Sequence, residues 1–399
     1  MYRCTPSPLV INDYRVFMCA SVARPPVVWQ QSKAKTVTFM VTEDCQLRCR
    51  YCYFTGKNSH SAMSFEVARK VVDYLTENRE LFSEPSIVWD FIGGEPLLEI
   101  RLIDEICNYI KVRQQEKHHP WGASYRFSIT TNGILYANPA VQRYITKNHK
   151  NLSIGLTLDG TPQKHDLNRV YPSEKGSYAD IVKNIPLWLK QFPDASTKVT
   201  VSSDDLPFVA ESVLHLHDLG IRHVSINVVF EDAWKEGDDQ LFEEQLITLA
   251  DAFIDQELFR QCTCSFFSET IGYPRMDNNN WCGAGRMLAV DSEGNFYPCH
   301  RFTPPSLSRK KAISVGNCFD GINLNRLRPF LSLDLRSQST AECVECPVAS
   351  GCAWCQGANY DYAETQTIFR RATNLCSMHK ARVRANNYYR NRLDRILHA

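Results

Sequence analysis

Three thiols within one short loop, Cys45, Cys49 and Cys52 in the stretch TEDCQLRCRYCYF (42–54), carry the most concentrated chemistry in the first half of this sequence. Their C-x3-C-x2-C spacing lets each thiolate take a different iron of a single cubane cluster. No nearby cysteine follows for the fourth iron, which stays open to a ligand that is not protein. Iron–sulfur sites ordinarily use four thiolates and closed structural zinc sites four ligands, so a three-thiolate loop suits a cluster that binds something. A zinc knuckle is the rival reading of so short a motif. A second group of thiols lies near the other end: Cys282, Cys299, Cys318, Cys343, Cys346, Cys352, Cys355 and Cys376. Its C-x2-C pairs would suit a zinc ribbon as well as iron, and loops of this composition would need a metal to fold.

The chain has 16 cysteines in all. In a small secreted protein they would read as disulfides, but here they cluster in a long chain without a signal sequence. That pattern fits metal ligation in a reducing compartment. Cys4, Cys19, Cys107, Cys262 and Cys264 fit no motif and read as small buried or free thiols. At 399 residues the chain can hold one large or two medium domains with a hydrophobic core. Its 45 basic and 44 acidic residues are interspersed and leave a formal charge of +1, which argues against a nucleic-acid partner. No stretch approaches the roughly 18 apolar residues of a membrane span. The expected location is cytoplasmic, with no membrane partner.

Residues 1–35 read as an irregular N-terminal extension. From 36 to 258 the pattern is strand then helix, six times. The expected strands are TVTFMVT (36–42), IVWDFI (87–92), YRFSITT (125–131), SIGLTL (153–158), TKVTVSS (197–203) and HVSINVVF (223–230), rich in β-branched and aromatic residues. Helical patterns run over 64–78, 100–116, 138–149, 178–191, 208–219 and 239–258; the first puts Val67, Val71, Val72 and Leu75 on one face. Six β–α units imply a parallel sheet curling toward a barrel, an α/β fold with its chemistry at the C-terminal strand ends. A linker over 259–280, a cysteine-rich domain over 281–376 and a basic helix over 377–399 complete the expected organisation. That last helix is a solvated face or a dock for an acidic peptide segment.

The strand ends carry the right residues. The cysteine loop follows the first strand, and Gly93-Gly94-Glu95-Pro96 the second, where paired glycines let backbone approach a ligand closely. Thr130-Thr131-Asn132-Gly133 closes the third, and Thr157-Leu158-Asp159-Gly160 the fourth, ahead of His165-Asp166-Leu167-Asn168-Arg169. Taken singly, these are tight turns and a surface arginine. Taken together at successive strand ends, they describe a site.

The loop, with Tyr51 before its last cysteine, resembles the cluster motif of radical S-adenosylmethionine enzymes, and 93–96 resembles that family's GGEP motif. The resemblance implies a partial (β/α)6 TIM-like barrel and a [4Fe–4S] cluster on Cys45, Cys49 and Cys52, whose open iron chelates S-adenosylmethionine. It further implies cofactor contacts from Tyr51, Gly93, Gly94, Glu95, Thr130, Asn132, Thr157, Asp159 and Arg169, the last facing the cofactor carboxylate. Asn227 and Val228 would hold the adenine. The activity implied is cleavage of the cofactor to methionine and a 5′-deoxyadenosyl radical that abstracts hydrogen from an unactivated carbon.

The later cysteines resemble a SPASM domain with two auxiliary [4Fe–4S] clusters, three clusters in all. By that pattern Cys343, Cys346, Cys352 and Cys376 hold the outer cluster. Cys282, Cys299 and Cys355 hold the inner one, with Cys318 or no fourth ligand. The chain departs from the family in Cys352-Ala-Trp-Cys355, which has two residues between the thiols where the pattern has three. Members of this group mostly modify ribosomally made peptides or proteins and take electrons from a flavodoxin- or ferredoxin-type donor. Anaerobic sulfatase maturases share the LDG and H-x-L-N-R features but place an Asp after the cysteine matching Cys299. Here that position is His300, in YPCHRF, which is more similar to maturases that install thioethers in cysteine-rich peptides. The expected function is therefore a crosslinking peptide maturase, with His300 as a substrate-side acid or base or a hydrogen-bond partner of the cluster. Sulfatase-type Cys or Ser oxidation, a C–C crosslink and epimerisation are the alternatives within the enzyme class, and a non-catalytic zinc or iron–sulfur module is the alternative outside it.

Overall fold

The computed structural model describes residues 34–398 except 56, 58, 232, 276, 279–281 and 363. Most of the expected N-terminal extension, with Cys4 and Cys19, lies outside the described residues.

Strands β1 (Ala34–Thr42), β2 (Ser86–Gly93), β3 (Tyr125–Thr131) and β4 (Leu152–Leu156) pair in parallel in chain order. β5 (Ser196–Val201) and β6 (His223–Val228) form a second parallel pair, joined to β4 by a single bridge between Thr157 and Lys198. Thr197 knits that seam. Its hydroxyl donates to the Leu156 carbonyl at 2.8 Å and accepts the Leu158 N–H at 3.2 Å. A short seventh strand, β7 (Thr263–Cys264), adds in parallel to β6 within the stretch read as a linker.

The crossovers carry α1 (Phe65–Glu77), α2 (Ile100–Glu116) and α3 (Pro139–Asn148), then α4 (Pro162–Asn168), α5 (Tyr178–Val182) and α6 (Ile185–Gln191). α7 (Val209–Asp218) and α8 (Asp238–Asp255) follow. Local chemistry sets their ends: Ser64 accepts the Val67 N–H at 3.2 Å and Asn138 the Ala140 N–H at 2.9 Å. The single helix expected over 178–191 is two helices. Pro186 cannot sit inside a continuous helix because its ring meets the carbonyl four residues back, that of Val182, where α5 ends.

Strand alternation divides the sheet's two faces. Val37, Phe39, Trp89, Phe91, Phe127, Ile129, Ile154 and Leu156 enter one core with Val71, Leu75, Ile106 and Ile145 of the helices. The other face is mixed, with a polar row set between Val88 on one side and Met40 and Ile92 on the other. Thr38, Asp90, Ser128 and Ser153 are cross-strand neighbours in one row, and Thr38 donates to the buried Asp90 at 3.1 Å.

The cysteine-rich region joins the same sheet. β8 (Leu288–Val290) pairs in parallel with the free edge of β1, and β9 (Asn295–Tyr297), β10 (Gly316–Asn317) and β11 (Gly321–Ile322) continue it antiparallel. The C-terminal helix α9 (Cys376–Leu397) lies against α8, with Arg384 on Glu243 and Arg392 on Asp251 and Asp255. Those two arginines, part of the basic run offered to an acidic peptide, are engaged by the chain's own carboxylates. No helix among the described residues is long and apolar enough to cross a membrane.

Candidate active site

The cysteine loop leaves β1 and is pinned from outside. Arg48 N–H donates to the Val170 carbonyl at 2.7 Å and Arg50 N–H to that of Asn168 at 2.9 Å. Thr55 N–H donates to the Pro305 carbonyl at 2.7 Å, tying the loop's far end to the cysteine-rich region. Burial pushes the Cys45 thiol up to about 11, partly offset by Lys57, and raises Cys49 as well. Such thiols keep their protons until a metal cation replaces them. Lys57, buried in the same loop, donates to Cys52. Burial pulls its ammonium down, but Cys52, Cys49 and Cys45 together hold it above its ordinary value.

The two glycines after β2 permit a close approach, and the first partner is the chain itself. A Cβ at Gly93 would lie 2.1 Å from the Thr42 carbonyl oxygen, and one at Gly94 2.2 Å from that of Asp44. Gly94 and Glu95 N–H groups donate to those carbonyls at 3.0 and 2.8 Å. Glu95 is buried and accepts from the Thr131 hydroxyl at 2.6 Å, the Asn132 N–H at 2.7 Å and the Leu97 N–H at 3.0 Å. Burial raises its carboxyl above the usual range against those three bonds. Asn132 also donates to Gln46 in the cysteine loop at 3.1 Å. Thr131 therefore anchors this corner, whereas Thr130 points the other way, half-buried opposite Gly155.

Arg169 is no surface charge. It is 7 % exposed, and its Nη1 donates to the Tyr51 hydroxyl at 3.0 Å. Tyr51 donates to Asp159, whose other oxygen accepts the Thr200 N–H at 3.1 Å. Burial alone would raise the Asp159 carboxyl; Lys164, Arg169, His165 and the Tyr51 bond outweigh it and hold it below the carboxylate range. His165 fixes the turn, its Nδ1 accepting the Asp159 N–H at 3.1 Å and its Nε2 facing Ser177 Oγ at 3.0 Å. Thr157 is buried on the bridge to Lys198. Asn227, half-buried on β6, donates to the Val228 carbonyl at 3.4 Å.

The later thiols fall into two neighbourhoods. Cys299 feels Cys282 and Cys355, and Cys282 feels Cys355. Cys352 feels Cys376, Cys343 and Cys346. Cys318 belongs to neither neighbourhood. Its sulfur packs against Gly294, where a Cβ would come within 2.5 Å of it, and Lys70 and Asp291 are the charges it senses. His300, next to Cys299, is buried with its ring 5.6 Å from that of Tyr53. Burial, with Arg301 and Lys198 nearby, holds it down to about 3, so the ring is neutral at physiological pH. Arg301 stacks 4.4 Å over the Tyr53 ring and pairs with Glu231.

Sequence reasoning missed Tyr53, Lys57, Asp90, Thr131, Lys198 and Arg301. Asp90 was legible as the one acid inside an apolar strand, WDF, and Lys198 as the one cation inside TKVTV. Thr131 stands in the TTNG turn, where the resemblance assigns the contact to its neighbour Thr130; Tyr53, Lys57 and Arg301 carry no local signal, because tertiary contacts alone give them their role.

Among the described residues no set of three or more His, Cys, Asp or Glu side chains is drawn close enough to hold a single metal ion as it stands. The donor set nonetheless fits the implied groups. Three thiols share one loop beside a buried lysine. The Nε of Arg169 is buried without a partner, as a guanidinium awaiting an anionic ligand would be.

The chain matches the Radical SAM superfamily over residues 39–230. It is 29 % identical over 197 residues to the uncharacterized protein MJ0907 of Methanocaldococcus jannaschii, covering 49 % of this chain and 63 % of that one. It is 30 % identical over 149 residues to a cysteine-type anaerobic sulfatase-maturating enzyme of Clostridium novyi, covering 37 % and 38 %. With the antilisterial bacteriocin subtilosin biosynthesis protein AlbA of Bacillus subtilis it shares 24 % over 288 residues, 71 % and 57 % of the two chains. In each case the match spans less than two thirds of the relative. The fold is that of native anSMEcpe, solved with bound AdoMet and the Cp18Cys peptide: the TM-score is 0.66 at 18 % identity, over 90 % of this chain and 99 % of that one. With the cysteine loop at the end of β1, the GGEP turn beside it and this match across the barrel, residues 39–230 belong to the radical SAM superfamily.

Proposed function

We propose that this chain is a peptide-modifying radical enzyme that joins a cysteine sulfur to a carbon of a ribosomally made, cysteine-rich peptide. The observation that carries the reading is the meeting of two thiol-rich sites at the barrel mouth. The Thr55–Pro305 bond and the Tyr53–Arg301 stack hold the first loop against the segment bearing Cys299 and His300. A radical made at one site would then be generated beside a second site able to take an electron or bind a substrate thiol.

In this reading Cys45, Cys49 and Cys52 hold a [4Fe–4S] cluster, and Arg169 takes the carboxylate of S-adenosylmethionine. Glu95 stiffens the turn whose backbone meets the methionyl amine. Bound there, the pair supplies one-electron cleavage of the cofactor and the resulting hydrogen-atom abstraction. The protein's own part is to orient the target carbon and keep solvent away. The polar row of Thr38, Asp90, Ser128 and Ser153 offers hydrogen bonds to a peptide entering the barrel. Cys343, Cys346, Cys352 and Cys376 hold an outer auxiliary cluster. Cys282, Cys299 and Cys355 hold an inner one with a position left for substrate, since Cys318 packs elsewhere. A flavodoxin- or ferredoxin-type protein supplies electrons, in the cytoplasm.

AlbA, named for subtilosin biosynthesis, supports the peptide class, and His300 in place of an aspartate speaks against sulfatase-type oxidation. The test is mass spectrometry of a cysteine-rich precursor peptide co-expressed with the enzyme under anaerobic conditions. Loss of two hydrogens, with the cysteine no longer open to alkylation, is expected. Unchanged mass with deuterium taken from solvent would mean epimerisation and end the crosslinking reading.

A further inference from the structure

We infer that Arg371 is a positioning residue for the outer thiol quartet, holding an anionic iron–sulfur group there at a higher reduction potential than the inner one. The inference rests on the reading of that quartet as iron ligands given above. Arg371 is 6 % exposed, and its Nη2 donates to Cys352 Sγ at 2.8 Å. Its guanidinium lies 4.8 Å from the centre of the Trp354 ring, and its own N–H donates to the Gln338 carbonyl at 2.9 Å. The Gln338 bond, made by the backbone N–H, fixes the main chain of Arg371, and the Trp354 ring lies against the fork itself.

The charge around this quartet is lopsided. Arg275 and Arg382 also face Cys352. Arg382 directs its fork at the carbonyls of Phe266 and Ser265, and only Arg275 has a carboxylate, Asp277, nearby. Among the described residues no carboxylate forms an ion pair with Arg371, whereas Arg301 beside the inner trio is paired with Glu231 at 2.5 Å. Reduction adds an electron to a group that is already anionic. An unneutralised cation and an N–H···S bond in a buried site stabilise that extra charge and raise the potential. The inner site, with its cation compensated, lacks this help. With both sites loaded, the outer group would therefore be the easier of the two to reduce, because Arg371 supplies the compensating charge there.

The test uses full-length protein in which Cys45→Ala, Cys49→Ala and Cys52→Ala remove the first cluster, reconstituted anaerobically and titrated under EPR. Two one-electron waves are expected. Arg371→Gln should move the more positive wave to lower potential and leave the other in place. Arg371→Lys keeps the charge but cannot both lie on Trp354 and reach the sulfur, so it should give a smaller shift the same way. If neither wave moves, or only the more negative one does, the inference is overturned. If Arg371→Gln loses its iron, the lysine variant decides, and an unchanged midpoint there is equally fatal. Zinc without acid-labile sulfide in the parent protein would instead overturn the reading of the quartet itself.

Discussion

Arg169 reaches the hydroxyl of Tyr51 across 118 residues of sequence, at 3.0 Å, and the Tyr51 hydroxyl in turn donates a hydrogen bond to Asp159. One phenol thus ties the cysteine loop to the end of β4 and to the segment after α4. Replacing Tyr51 by Phe leaves a buried carboxylate oxygen and a buried guanidinium N–H without partners, at a cost of about 1–3 kcal/mol. Urea unfolding of the metal-free protein measures it. A change below about 0.5 kcal/mol, typical of an inert surface site, would mean the phenol is not the tie.

His165 is held neutral. Burial, then the Arg169 charge, brings its ring down to about 3 from an ordinary 6.5. The folded state resists a proton that the unfolded chain accepts, so the neutral ring's contribution is present above pH 6.5 and lost as pH falls toward 3. Between pH 7 and pH 5 the loss is about 2 kcal/mol. His165→Gln should flatten the stability profile by that amount, and equal slopes in wild type and variant would refute the assignment.

Asp90 acts with the opposite sign. Burial pushes its carboxyl up to about 6, against bonds from Ser128 and Thr38 and the Lys198 charge. Its contribution is therefore present below pH 3.8 and lost as pH rises through 6, about 3 kcal/mol in all. Asp90→Asn should gain on wild type as pH rises across that window. A constant difference between the two proteins would contradict it.

Gly94 lies where any Cβ meets backbone, 2.2 Å from the Asp44 carbonyl oxygen. Gly94→Ala must push the GGEP turn off the cysteine loop, costing about 3 kcal/mol or more. The variant should lose the iron of the first cluster but keep that of the later cysteines. Full iron content with unchanged thermal stability would show that the turn yields freely.

Much of this was legible in the sequence because it is local. Strand composition located all six long strands to within two residues at either end, whereas the sorting of the later thiols into two groups came from the resemblance to a SPASM domain and not from their spacing, since Cys352 and Cys355 are only three positions apart. What sequence could not supply was partnership. Thr131 and Thr130 look alike in TTNG, yet strand alternation turns Thr131 toward Glu95. The GGEP glycines suggested a ligand's approach, whereas their nearest neighbour is the carbonyl ridge of Thr42–Asp44. Cys318 shares a cysteine-rich stretch with the inner thiols, but a two-residue strand carries it to Gly294. Lys57 and Tyr53 have no sequence signature at all; loop closure alone puts one among three thiols and the other under Arg301.

The most direct measurement is the release of 5′-deoxyadenosine by reconstituted protein given S-adenosylmethionine and dithionite under nitrogen. The nucleoside should appear with wild type and vanish when Cys45, Cys49 and Cys52 are changed to alanine. Should wild type release none, or the triple variant release as much, no radical chemistry begins in the loop at the end of β1.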